Sequence, residues 1–437
     1  MKIEKDSFNK IFETSFWKKL KDSIVPFEDN PNKIEFLAQL YEDITVFTYS
    51  PSIPREYIVI NKNNGISRYV PTFNRKDYCV YFLCIKLLEN DIAINKVEGT
   101  FGGWTLGNPI RLKEEQEIIE IEYIPYNTLN ELSWIQEWQS FQHIARTFRD
   151  IQRWNCFVKI DIANFYDSIN LSILERKIRH IIHKNKQDVV SLLFHFLKNW
   201  NKKLEGYNHK TVGIPQDEIG DCSRILANFY LQDYDLKMKS ICDGLGSKYI
   251  RFADDQIIYS NSIEDVRSIL YESSRELLRI NLHLNSSKVI YFKNESDFNT
   301  YWAYDIFDLL KDVDNSDNIN KAVKKYLDNL NNQVVFRDSS VLKRLLRIKF
   351  DHIMPEYRHQ LLSKFFNPDF LSELNLWSFT KIREKVNNDE EFYGILDDLI
   401  DKVLFNGFHY NLLAFYRKYR TDNDNQKLIN RISILKL

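Results

Sequence analysis

The sequence predicts an α+β protein: a middle segment built on antiparallel strands, followed by an all-helical C-terminal domain. Three observations predict it. Two β-prone runs, Tyr249–Phe252 and Gln256–Tyr259, flank the adjacent carboxylates Asp254 and Asp255, the pattern of a hairpin with acids at its tip. The run Cys156–Ile162 is short and mostly apolar, as a buried strand requires, yet it contains Asp161. Beyond about residue 300 only Gly394 and Gly407 remain of the twelve glycines, and apolar residues recur three and four apart.

A chain of 437 residues has room for two or three domains, and 44% apolar with 14% aromatic residues excludes a largely disordered one. The net charge of −1 advertises no polyanion partner, so any such site must come from local clustering. Five cysteines without a CxxC pair argue for reduced thiols, with neither a zinc knuckle nor a disulfide frame. The start, MKIEKDSFNK, lacks the apolar core of a signal peptide, and no run approaches the ~18 apolar residues of a membrane span. A soluble, cytoplasmic protein without membrane partners is the expectation.

Residues 1–54 carry Phe8, Ile11, Phe12, Phe16, Trp17 and Leu20 at helical spacing and end at Pro51 and Pro54, which predicts an N-terminal helical segment. In residues 55–155, a strand over Tyr57–Ile60, a turn at Asn63-Asn64-Gly65 and a return strand through Arg68-Tyr69-Val70 predict a hairpin. Lys62 and Arg68 fall on its opposite arms, where two cations can close on one phosphate chain; an ordinary solvated hairpin has the same pattern. Three glycines between Phe101 and Gly107 read as a turn, and the stripe Trp134, Trp138, Phe141, Ala145, Phe148 as a core-facing helix.

Residues 156–299 hold the carboxylates. A bare acid on a buried strand is costly unless it is paired or metal-bound, which singles out Asp161. Asp167 has the milder explanation of a helix cap. From Arg176 to Lys210 nine Lys/Arg face two acids, with Arg176, Lys177 and Arg179 as phosphate-backbone candidates on helices spanning 172–212. Gly213 and Pro215 open a turn, and Ser223 is the expected N-cap of an amphipathic helix. Residues 282–292 read as a turn into a strand carrying Lys288. In residues 300–437, the Asn/Asp-rich segment Asp312–Asn332 is expected to include the linker, and Arg337–Lys349, with Lys343, Arg344 and Arg347, is a second basic stretch.

If the strand with Asp161 lies beside the Asp254–Asp255 hairpin in one antiparallel sheet, three acids converge. Nucleotidyl transfer by two Mg²⁺ ions ~3.5–4 Å apart needs such a cluster, because hard cations take carboxylate oxygens.

The segments IDIANFYDSI, GIPQ…SRILAN, RFADDQIIYS and LNSSKV, in that order, resemble the palm motifs of reverse transcriptases, and INKNNGISRYVP is similar to the fingers motif that precedes them. The resemblance spans roughly residues 55–292 and is nearest to group II intron-like and abortive-infection, defence-associated reverse transcriptases. It implies a right-hand polymerase, with fingers over 55–155, a palm over 156–299 and a thumb-like or helical-repeat domain after it. It makes Asp161, Asp254 and Asp255, with the backbone of Ile162, the ligands of two Mg²⁺ ions, Mn²⁺ being an alternative. Tyr166 becomes the steric gate against a 2′-hydroxyl, Lys62 and Arg68 the triphosphate grip, Gln216 a neighbour of the templating pair, and Lys288 a partner of the leaving pyrophosphate. The implied partners are an RNA template or DNA product, a non-coding RNA, dNTPs, and either further copies of the chain or a second defence protein. Phe252 replaces the usual Tyr of its turn. Asp217 and Glu218 stand where the family has Gly after Gln216, and two acids there would repel a template strand. A catalytically silent palm scaffold and an RNA polymerase on the same fold are the alternatives.

Overall fold

The computed structural model describes the chain apart from residues 13–14, 22, 64–65, 108–109, 114–117, 124–133, 151–153, 202–208, 217–218, 220, 387, 421–424 and 436–437, and apart from the side chains of 15, 62–63, 111–112, 122–123 and 134–135. Three helices open it: α1 (Lys5–Ile11), α2 (Ser15–Lys21) and α3 (Lys33–Thr45). Strands β1 (Glu56–Asn63) and β2 (Ile66–Thr72) form the expected hairpin, whose turn residues Asn64 and Gly65 lie outside the described residues. Then come α4 (Arg75–Ala93), β3 (Thr100–Phe101), β4 (Arg111–Leu112), β5 (Ile121–Tyr123) and α5 (Trp134–Asp150). Next are β6 (Cys156–Ile160), α6 (Phe165–Ser168), α7 (Leu171–Ile181), α8 (Gln187–Asn199), α9 (Cys222–Tyr230) and α10 (Gln232–Gly244). The hairpin β7 (Lys248–Phe252) and β8 (Asp255–Ser260), helix α11 (Ile263–Arg279) and β9 (Ile290–Phe292) complete the strand-bearing part.

The chain divides into two compact units, residues 1–55 with 71–293, and residues 56–70 with 294–437. In the first, five strands pair in the order β3-β7-β8-β6-β9. Cys156 faces Ser260 and Ile160 faces Gln256, so β6 and β8 run antiparallel along their whole length. The sheet is mixed rather than purely antiparallel, because β3 pairs with β7 in parallel, Thr100 opposite Arg251 and Phe101 opposite Phe252. The strand β3 precedes the glycines read as a turn, in a segment (99–130) whose pattern is that of loop and strand. Its glycines supply positive φ at Gly99, Gly102 and Gly103, on either side of two residues that pair with the sheet edge. Alternation along β8 sends Gln256 to a helical layer, where Tyr234 of α10 donates to it (2.6 Å) and also meets Ser273 of α11 (2.8 Å). Tyr259, on the opposite face, donates to the carbonyl of Ala145 in α5 (3.1 Å). The five cysteines are free.

The second unit is helical apart from the hairpin. It holds α12 (Glu295–Trp302), α13 (Tyr304–Leu309), α14 (Ser316–Asn331), α15 (Asp338–Leu345), α16 (Pro355–Phe365), α17 (Pro368–Ser372), α18 (Leu376–Arg383), α19 (Asp389–Leu399), α20 (Asn406–Tyr419) and α21 (Gln426–Ile434). The Asn/Asp-rich stretch expected to include a linker is mostly helix α14: Asn315 caps it by accepting from the amide of Asn318, and Ile319, Val323, Tyr326 and Leu327 bury one face. Residues 56–70 join this unit because Asn406, at the start of α20, grips β1. It accepts from the amide of Val59 (2.6 Å) and donates to the carbonyl of Tyr57 (2.9 Å). Gly407 lets the helix come close, since a Cβ there would meet Ile60 Cγ2 at 2.8 Å. No helix among the described residues is long and apolar enough to cross a membrane.

Candidate active site

Asp254 lies at the tip of the β7–β8 hairpin. Phe252 pairs with Asp255, leaving Ala253 and Asp254 as a two-residue turn in which Ala253 takes the left-handed φ of +52°. Asp161 arrives from β6. The register that sets Ile160 opposite Gln256 brings Asp161 level with Asp255 one residue further along. The sequence placed Asp161 on the strand, whereas β6 ends one residue earlier, at Ile160. From Asp161 onward the chain pairs with the segment before β9: Asn285 N–H donates to the Asp161 carbonyl (2.8 Å), and Ile162 bridges to Leu284. Asp161 is nevertheless 4% exposed.

The electrostatics register this convergence. Desolvation, then the negative charges of Asp255 and of Asp161, push the Asp254 carboxyl up to about 6, opposed by the Lys288 ammonium. Two lysines offset the charge of the neighbours. Lys288 bonds Asp161 Oδ2 (3.0 Å) while Asn285 Nδ2 reaches Oδ1 (3.3 Å). Lys159 of β6, itself 5% exposed, pairs with Asp255 Oδ1 (2.5 Å). Lys288 stands in a 3₁₀ turn (Ser286–Lys288) just ahead of β9 rather than on the strand. Lys159 went unnoticed in the sequence. Its signal was available: a cation two positions before Asp161 shares that acid's face of the strand.

Among the described residues no group of three or more His, Cys, Asp or Glu side chains stands ready as a metal site. The donor set still fits a divalent cation. The Asp255 and Asp161 carboxylates lie close enough to Asp254 to add to the rise that burial causes, and hard carboxylate oxygens brought together are what a divalent cation takes.

The remaining candidates distribute unevenly. Tyr166 lies in α6, half-buried, and its carbonyl accepts from Ile214 N–H (3.0 Å), while Gly213 N–H reaches the Ile169 carbonyl (2.8 Å). The loop leading to Gln216 is thereby tied to the segment carrying Tyr166. Gln216 is half-buried, and Asp217 and Glu218 lie outside the described residues. Ser223 is not an N-cap. It stands inside α9 and donates to the Pro215 carbonyl, with the Tyr81 hydroxyl 2.6 Å away. Asp167 caps nothing either; Asn170 caps α7. Arg68 is exposed on β2, Lys62 lies on β1 with its side chain outside the described part, and both belong to the second unit.

Of the basic candidates, Arg176 is exposed. Lys177 is spent on the C-terminal carbonyls of α9 (Phe229, 3.3 Å; Tyr230, 3.0 Å) and on Asp233 (2.9 Å). Arg179 is held by Glu175, Gln187 and Ser191. In the second unit Lys343 pairs with Glu373 (2.8 Å), Arg344 donates to the Leu310 carbonyl (2.9 Å), and Arg347 lies over the Trp377 ring (5.5 Å).

A mixed sheet carrying an acid-tipped hairpin beside a third acid, backed by helices, defines a polymerase-type palm of α+β class. Residues 120–302 match the family described as reverse transcriptase (RNA-dependent DNA polymerase). The match over this segment indicates a nucleotidyltransferase, a nucleic-acid-directed DNA polymerase; enzymes of the matched family generally use divalent metal ions. No curated protein is a significant match. Among solved structures, apo telomerase from Candida tropicalis is similar over 92% of this chain and 70% of its own, with 11% identity and a TM-score of 0.36. Telomerase from Candida albicans in complex with a fragment of telomeric RNA is similar over 79% and 69%, with 12% identity and a TM-score of 0.28. These overlaps are too loose to carry function.

Proposed function

We propose that the protein is an RNA-directed or template-independent DNA polymerase acting in antiphage defence. It adds dNTPs to a 3′-hydroxyl, or to a protein hydroxyl primer, by two-metal nucleotidyl transfer. The observation that carries this reading is the meeting of Asp161 with Asp254 and Asp255, from strands some ninety residues apart, at one end of a β6–β8 ladder. The defence role rests on the resemblance of the motifs to defence-associated reverse transcriptases.

In this reading Asp161, Asp254, Asp255 and the Ile162 carbonyl hold two Mg²⁺, or Mn²⁺. When bound, such ions lower the pKa of an attacking hydroxyl and neutralise a leaving pyrophosphate. The side chains do the rest. Lys288 gives up Asp161 and turns to the pyrophosphate, and Lys159 stays paired with Asp255. Tyr166 excludes a 2′-hydroxyl, Lys62 and Arg68 grip the triphosphate, and Gln216 borders the templating pair. Arg176, with Lys343 and Arg347, meets the nucleic acid backbone of an RNA template, a non-coding RNA or the DNA product. Self-association or a second defence protein, and a cytoplasmic setting, complete the proposal.

Purified protein supplied with Mg²⁺ and labelled dNTPs is expected to extend a product, and Asp254→Asn to abolish it. Undiminished synthesis by that variant would exclude the site. One observation favours a second reading, a palm that binds nucleic acid without catalysis: both Asp161 and Asp255 are ion-paired to lysines. That reading predicts binding with no incorporation under any primer, template or metal.

A further inference from the structure

The turn that presents Asp254 has a buried support that none of the roles above uses. Arg251 of β7 is fully buried and forms a two-pronged pair with the equally buried Asp235 of α10, through Nε to Oδ1 (2.7 Å) and Nη2 to Oδ2 (2.5 Å). Tyr249 also donates to Asp235 Oδ1 (2.8 Å). With its charge thus answered, Arg251 has Nη1 left over. That nitrogen donates to the carbonyl of Ala253 (2.7 Å) and to Asn228 Oδ1 on α9 (2.9 Å). Asn228, 1% exposed, donates through Nδ2 to the carbonyl of Gly103 (2.8 Å). Only one orientation of its amide serves both partners, because a guanidinium cannot accept and a carbonyl cannot donate.

The Gly-rich segment closes this frame from the other side. Arg251 N–H donates to the Gly99 carbonyl (2.9 Å) and Ala253 N–H to the Phe101 carbonyl (3.1 Å). Gly102 lies so near that a Cβ there would fall 2.9 Å from Ala253 N. Both the N–H and the C=O of Ala253 are therefore held, at the one residue whose left-handed backbone aims Asp254. The same helix α9 holds the start of the Gln216 loop, through Ser223 to Pro215.

We propose that Arg251 and Asn228 are positioning residues for nucleotidyl transfer: together they clamp the Ala253 carbonyl and so fix the Asp254 carboxylate in its place for the metal. The proposal rests on the polymerase reading. A buried clamp of this kind acts on where the carboxylate points and leaves nucleotide affinity alone, so its loss separates kcat from KM.

The test uses the full chain with Asn228→Ala and Arg251→Lys, the second retaining the charge that Asp235 needs while forfeiting the fork. Three quantities are read: Mn²⁺ affinity from the electron paramagnetic resonance of the free ion, kcat and KM for dNTP incorporation, and the melting temperature. The expected result is a several-fold weaker Mn²⁺ affinity and a kcat lower by roughly a hundredfold, the usual cost of a small misplacement. KM is expected to stay within about twofold of the parent in a variant that still melts cooperatively. Parent-like Mn²⁺ affinity and kcat in either folded variant would overturn the clamp, as would equal changes in kcat and KM that track lost melting temperature. Asp254→Asn, run alongside, keeps the two claims apart. Synthesis surviving there sinks the polymerase reading, whereas its loss there with a parent-like Asn228→Ala sinks the positioning role alone.

Discussion

Asn406→Ala is the sharpest probe of what holds the basic hairpin. The side chain is 1% exposed and satisfies two backbone groups of β1, Val59 N–H and Tyr57 C=O. Truncation leaves both without their partner, at about 1–3 kcal/mol for each group that water does not reach. Tyr57 and Val59 are half-buried, so water recovers part of that loss, and a total of about 1–3 kcal/mol remains. The loss falls on local opening of β1 against α20. Because about 1.4 kcal/mol is a factor of ten in an equilibrium constant, Val59 amide exchange should quicken by roughly ten- to a hundredfold. Native-state hydrogen exchange with mass-spectrometric or NMR readout of residues 56–63 measures this directly. Gly407→Ala, whose Cβ would press on Ile60 and the Val59 carbonyl, should loosen the same peptides through overpacking. Unaltered exchange of the Val59 amide in Asn406→Ala would refute the reasoning, because the hairpin would then be held by something else.

Two further outcomes are expected. Burial lowers Lys385 to about 8, its ammonium donating to the Ile348 carbonyl. A lysine whose folded pKa lies below its unfolded 10.5 binds its proton less tightly when folded, so stability should rise between pH 8 and 10.5 and be lowest below 8. Urea titrations across that range should show a gain of about 1–3 kcal/mol, discounted for partial exposure, that is missing in Lys385→Met; a parallel pH profile in the variant would contradict the assignment. Lys177→Ala should cost about 1 kcal/mol of stability by uncapping α9 and leave nucleic-acid affinity almost unmoved, whereas Arg176→Ala should weaken filter binding without altering the melt. The reverse pattern would return Lys177 to the interface.

The sequence made some of this legible because certain residue types are expensive in certain places. An acid in CFVKIDI must be answered by a charge, and two β-prone arms around Asp254-Asp255 leave little but a hairpin. Asp161 and the acid turn could accordingly be singled out from local pattern, while their meeting is set by the β6–β8 ladder. The same local pattern misled at Ser223, whose hydroxyl looked like a cap and instead reaches back to Pro215, and at Lys177, a cation in a basic run that caps a neighbouring helix. In both cases the deciding partner is more than seven residues away, and no periodicity reports it.

What the chain determined by itself was the kind of element each stretch forms and the chemistry its acids imply, since propensity, burial cost and turn geometry act over a few residues. What tertiary structure alone decided was allegiance. Residues 56–70 belong with helices more than 300 residues later, where Asn406 matches two backbone groups of β1 and Asp369 accepts from Asn61. The Gly99–Trp104 segment, unremarkable as sequence, becomes the parallel edge that holds the Ala253 turn, because only glycine allows the backbones to approach so closely.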